Sequence, residues 1–219
     1  MDTYINKLKN DTPIATQIYF SRLLDGSMSF ELFKSSQANF YSAVCYFSRP
    51  MLLLCSRIEN YADRLIILEN IMDEHGNGDI KDSHGETYKN YLLNLGVKEK
   101  NINKTFNHSA VSNFYSIVDM TVECDNIETA IAMFGMIEDR YTEISSTIAT
   151  SLINNNWLKE DQLSHYRIHE KLDTYHAGLF YKLVRHRWIE EICRKNIKKG
   201  LKLGNTIFLD MFNNLLKVD

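Results

Sequence analysis

Apolar residues recur at helical period along almost the whole chain, and the pattern predicts helices joined by short loops. Thr12-Pro13 reads as an N-cap followed by proline at the first helical position, opening a helix that runs to about Leu24 and stops at Asp25-Gly26. Ser29 caps the next. There Phe33, Phe40, Tyr41, Val44, Phe47 and Leu52 keep the period as far as about Ile58, with Pro50 kinking or splitting the helix. Leu65, Ile66, Leu68 and Met72 mark a helix over 61–73, and three glycines make 74–85 a loop or a frayed helix end. A helix over 87–95 ends at Gly96. Residues 97–108 read as a polar connector, with helix resuming near Val111.

The second half is patterned alike. Asp125-Asn126-Ile127-Glu128 has capping-box character and opens a helix over 127–153, which leaves through the polar run Asn154-Asn155-Asn156. Residues 159–187 read as one long helix, followed by helices over 188–199 and 205–216. No strand, internal repeat or low-complexity linker stands out. The expectation is one all-α domain over 1–219.

Composition sharpens this picture. Only 9 Gly and 2 Pro in 219 residues argue against a many-stranded sandwich or barrel, which needs frequent turns. With 44% hydrophobic and 24% charged residues the chain is globular rather than disordered. The net charge of −3 argues against a dedicated nucleic-acid binder. The start, MDTYINKLKN, lacks the apolar stretch of a secretory signal. The longest apolar run, near Met51 and Cys55, falls far short of the ~18–20 residues of a membrane span. Cys45, Cys55, Cys124 and Cys193 form no CxxC and read as reduced thiols in helix packing. A cytoplasmic protein that engages neither nucleic acid nor membrane is expected.

The chemistry concentrates in His169-Glu170-Lys171-Leu172-Asp173-Thr174-Tyr175-His176. His169 and Asp173 are spaced i,i+4, and Asp173 and His176 i,i+3, so all three share one helical face. Two imidazoles and a carboxylate suit iron or another borderline transition metal. The plainer account is a polar face with structural hydrogen bonds. His165, one turn earlier, reads as exposed. Two further regions supply acids. Glu74 lies in Asp73-Glu74-His75-Gly76, with His84 ten residues on. Glu138 follows the apolar run Ile131, Met133, Phe134, Met136 and Ile137, so it can face the core or pair at the surface with Arg140 or Tyr141. Helix bundles build dimetal sites from inward-facing carboxylates and histidines. Glu74, His84, Glu138, His169, Asp173 and His176 form such a set, three histidines and three acids.

On these blocks the chain resembles the haem-oxygenase-like diiron oxidases and oxygenases of the TenA/PqqC superfamily, and within them the branch of proteins associating with death domains. The matching residues are Asp73-Glu74 with its glycine-rich turn, His84, Leu95-Gly96-Val97, Glu138 and His169-x3-Asp173-x2-His176, over roughly residues 15–185. The resemblance implies a haem-oxygenase-like bundle of about seven helices without haem. It implies two iron ions held by Glu74, His84, Glu138, His169, Asp173 and His176, with Glu138 as the bridging carboxylate. One ion would be weakly held, and manganese can replace iron. Dioxygen, a small-molecule substrate and an external reductant would be the partners, and a homodimer is common for such a fold.

Alternatives come with the family. One branch makes para-aminobenzoate by sacrificing a tyrosine and needs a lysine. An ungapped reading puts that tyrosine on Phe20, beside Tyr19, and the lysine near Ile148, with no lysine between Lys104 and Lys159. This departure speaks against that activity. Haem oxygenase needs a histidine on its first helix, and the first here is His75. A thiaminase-II-like hydrolase would use Cys124 as nucleophile, where packing or capping is the commoner role. A non-enzymatic host-protein interaction protein would dock through Arg185-His186-Arg187, Arg194, Lys195, Lys198, Lys199 and Lys202, a run that also reads as a solvated helix face. Tyr141 and Tyr175 neighbour the proposed ligands, and whether either, or Tyr19, takes part in chemistry is left open. The substrate is expected to approach near 20–39.

Overall fold

The long helix near the middle of the chain organises the rest, because most of its length is buried. The computed structural model describes residues 1–102 and 108–217. Among these it has eleven α-helices and no strand: α1 (Asp2–Asp11), α2 (Ile18–Leu24), α3 (Phe30–Tyr46), α4 (Ser48–Arg57), α5 (Tyr61–Glu74), α6 (His84–Asn94), α7 (Glu99–Ile102), α8 (Ser109–Cys124), α9 (Ile127–Asn154), α10 (Ser164–Arg185) and α11 (Glu191–Asn214). The expected connector at 97–108 thus contains the single turn α7, and its residues 103–107 lie outside the described ones. No described helix is long and apolar enough to cross a membrane.

α9 packs along both α10 and α11, while α5 and α6 lie against α10, and α8 joins α3, α4 and α11. Two glycines make one of these packings possible. A Cβ at Gly200 would run into the carbonyl of Thr129, and one at Gly204 into that of Met133. The sequence pattern treats them as a break between 188–199 and 205–216. The structure uses them for close backbone approach inside the one helix α11, a role that periodicity alone does not reveal.

The described residues form eleven α-helices rather than about seven: α1 and the single turn α7 are additional and the stretch over 29–58 is divided into α3 and α4, whereas the two expected C-terminal helices are joined in α11. Thr12 ends α1 instead of opening a helix. The buried guanidinium of Arg140 donates from Nη2 to the carbonyl of Thr12 (3.0 Å) and its Oγ1 (2.7 Å), satisfying the end of α1. A 3-10 turn over Ile14–Thr16 then precedes α2. Helix α3 is capped by Ser29 as expected, but the break falls at Phe47, with Pro50 in the first turn of α4 where its missing N–H costs nothing. Ser83 caps α6, which starts at His84 rather than at 87. The capping box at 125–128 does not form: Asn126 makes no side-chain cap, and Glu128 turns to Arg187 and Asn196. The helix expected over 159–187 is α10 flanked by two 3-10 turns.

Candidate metal centre

The helix face read from the sequence exists. His169, Asp173 and His176 project from α10 into the protein, and all three are buried, His176 completely (0% exposed). Glu138 reaches the same place from the middle of α9 at 3% exposure, which excludes surface pairing with its neighbours. The carboxylate of Glu74 arrives from the last residue of α5 and His84 from the first of α6. The turn between them places Gly76 (φ 66°), Asn77 (φ 53°) and Gly78 (φ 97°) in left-handed conformations.

The six side chains converge. His84 Nδ1 lies 2.9 Å from Glu74 Oε1, and the His84 and His169 rings are 4.3 Å apart. His169 Nδ1 lies 2.8 Å from Asp173 Oδ1. His176 Nε2 lies 3.0 Å from Asp73 Oδ2, and its Nδ1 is 4.0 Å from Glu138 Oε2. Glu138, Asp173 and His176 each offer a ligand atom within 4.8 Å of the others.

Among the six side chains three buried atoms have no hydrogen-bond partner, His169 Nε2, Asp173 Oδ2 and His176 Nδ1, and Asn70 Oδ1 beside Glu138 has none either. Burying such atoms unpaired is costly, so a missing partner is implied. The pattern is that of oriented metal ligands: a carboxylate holds one imidazole nitrogen and leaves the other for an ion. Oxygen and imidazole donors in this number suit iron or manganese, so the residues fit the cofactor that the family implies.

The electrostatics agree. Burial pushes Glu138 up to about 8, and Asp173 and Glu74 nearby add to the shift against the help of His176 and Asn70. Burial also holds Asp173 well above the carboxylate range. Burial is the largest influence on Glu74 and would raise it, but the charge and hydrogen bond of His84, with His169 and His176, together outweigh it and lower the pKa. Burial and the neighbouring His84 hold His169 far below the usual histidine value, in the neutral form a metal ligand needs.

Sequence reasoning misplaced one residue and missed two. His165 is buried (1% exposed), not exposed: it sits one turn before His169 on the same face, with Thr87 Oγ1 3.0 Å from Nδ1 and Tyr141 Oη 3.3 Å from Nε2. Asp73 carried no role of its own beside Glu74 in the sequence reading, and Asn70 was not singled out. Asn70 donates to Glu138 Oε1 (3.1 Å), and its signal was a polar residue between the core positions Ile67 and Ile71. Tyr175 points outward and donates to Glu69, whereas Tyr141 lies against His169.

An apolar cavity of ≈ 40 Å³ adjoins the centre, walled by Phe40, Val44, Phe47, Phe114, Ile137 and Phe208. Neither Tyr19 nor Phe20 lines it, and the Tyr19 hydroxyl is tied to Ser36 (2.7 Å) and Gln37 (2.8 Å). Cys124 is exposed at the end of α8, in a surface cleft with Arg57 and His186. Cys45 is exposed too, so only Cys55 and Cys193 are packed inside. The basic run is largely paired within the chain, Arg185 with Asp2, Arg187 with Glu128, Lys195 with Glu191 and Lys199 with Asp125.

A family model described as "iron-containing redox enzyme", of the second haem-oxygenase type, matches residues 36–203. The chain belongs to this family. No curated protein matches it. Among solved structures it is similar to a domain of unknown function with a heme oxygenase-like fold from Shewanella denitrificans (TM-score 0.77, 11% identity, 98% of this chain and 88% of that one). It is also similar to a TenA homologue from Pseudomonas syringae pv. tomato (TM-score 0.71, 12% identity, 98% and 93%) and to one from P. horikoshii (TM-score 0.75, 16% identity, 97% and 98%). These likenesses establish the haem-oxygenase-like, TenA-type fold.

Proposed function

We propose that this family member is a nonhaem dinuclear iron enzyme that uses dioxygen to oxidise a small organic substrate, with electrons from an external reductant. The observation that carries the reading is the trio of buried, unpartnered donors, His169 Nε2, Asp173 Oδ2 and His176 Nδ1. With Glu74, His84 and Glu138 these residues would hold two ions. When bound there, ferrous iron would supply the electrons for dioxygen activation. Manganese in one position suits the same donors.

The chain's own residues do the rest. Asp73 and Asp173 fix the rings of His176 and His169, and Asn70 fixes the carboxylate of Glu138. The phenylalanine wall keeps bulk water from the oxidising side. Room for one water takes about 10–15 Å³, so the ≈ 40 Å³ cavity has space for dioxygen. A substrate entering through the apolar cavity must displace side chains such as Phe47 and Phe114.

The TenA-like fold raises a hydrolase as the second reading. Its expected nucleophile, Cys124, sits in the surface cleft rather than beside the buried acids, which favours the redox reading. The test is oxygen uptake. Protein loaded anaerobically with ferrous iron should consume dioxygen on mixing, and Glu138→Ala should abolish the consumption while keeping the helical spectrum. Equal consumption by both proteins would overturn the proposal.

A further inference from the structure

The centre is open to two unlike spaces. His84, His165 and His169 line both the apolar cavity and a wider mouth of ≈ 230 Å³ with a mixed lining, to which Ile168 and Leu172 contribute beside the polar groups. The mouth lies between the 76–82 segment and α10, and its rim carries Asp73, Asn77, Asp82 and Thr87. Asp79 stands exposed on the same segment, and Lys81 is the basic group there.

We propose that metal ions reach the buried donors through this mouth, and that the apolar cavity is reserved for dioxygen and substrate. The proposal rests on the dinuclear reading and adds a route to it. A divalent ion carries a tightly held water shell, and removing it without replacement ligands is prohibitive. The phenylalanine wall offers no replacement. The mouth does: Asp82 lies at the rim, while Asp73 spans inward, its Oδ1 accepting from Asn77 Nδ2 (2.7 Å) and its Oδ2 meeting His176 Nε2 (3.0 Å). Behind it waits His169, buried, with Nε2 unpartnered. An ion can therefore exchange water for protein oxygen and nitrogen in steps. The rim is closely built, since a Cβ on Gly76 would meet the backbone of Asp82 and Ser83.

The test mixes metal-free full-length protein with cobaltous ion, without oxygen, and follows the rise of the visible cobalt band. Asp82→Asn and Asp82→Lys change only an exposed side chain, and Glu31→Lys on α3 is the control for net charge. At low ionic strength Asp82→Asn should load about threefold more slowly and Asp82→Lys about tenfold, with the difference shrinking as salt screens the rim. The final cobalt content should match the parent, and Glu31→Lys should load at the parental rate. Asp82 variants that load at the parental rate, or a control slowed as much as they are, would overturn the route and leave the dinuclear reading standing. A parent protein that binds no cobalt would overturn both.

Discussion

His169 Nδ1 meets Asp173 Oδ1 at 2.8 Å, while His169 Nε2 and Asp173 Oδ2 are both buried without partners. A pair that served only stability would leave neither atom wanting. Removing one ligand should therefore empty at least part of the centre. His169→Ala and Asp173→Ala should each reduce bound iron to one ion or fewer per chain, whereas His165→Gln should keep the parental content. Metal analysis after anaerobic loading checks this. Loss of metal in His165→Gln would make His165 a ligand.

Metal-free protein should become less stable as pH rises from about 6.5 to about 8. Glu138 has its folded pKa raised to about 8 from an unfolded value of 4.5, so the folded state holds a proton that the unfolded state releases. Its contribution is full below the unfolded pKa and is lost through the folded one. Asp173, also raised, acts in the same direction. Below about 6.5 the lowered pKa values of His165 and His169 oppose them, so the decline should be clearest between about 6.5 and 8. Glu138→Gln removes the penalty and should melt higher than the parent at pH 8 when metal-free, yet fail to gain stability from iron. Thermal melts across pH, with and without metal, measure both effects.

Loading with iron should raise the melting temperature. Free metal at ~100 times its dissociation constant contributes about 2.7 kcal/mol, or roughly 5–10 °C for a chain of this size. An unchanged melt after verified metal removal would mean that the six side chains do not bind it.

Gly200→Ala and Gly204→Ala should each destabilise the protein by more than ~2 kcal/mol, since the added methyl meets the carbonyl of Thr129 or of Met133. Denaturant titration tests this. A loss below ~0.5 kcal/mol would show that α9 and α11 can separate freely.

The helical class was legible from the periodicity, but local spacing tied together only His169, Asp173 and His176; Glu74 and His84 joined them through the family resemblance. The i,i+4 and i,i+3 offsets of His169, Asp173 and His176 fix a common face whatever the rest of the chain does. Glu138 was legible from the apolar run before it. What escaped depends on distant partners. Thr12 looks like a helix start until Arg140, 128 residues away, claims its carbonyl. Gly200 and Gly204 look like breakers until α9 lies against them. Glu128 fits a capping box, but Arg187 competes for its carboxylate. His165 looked exposed because its burial comes from Thr87 and Tyr141 on other helices.

The most direct test of the central claim is an anaerobic titration of metal-free protein with ferrous iron, followed by metal analysis after removal of unbound ion. The arrangement of three histidines and three carboxylates predicts about two irons per chain, falling to one or none in Asp173→Ala. No bound iron in a fully helical parent protein would contradict it, and would make the His169–His176 face a buried hydrogen-bond network without a metal.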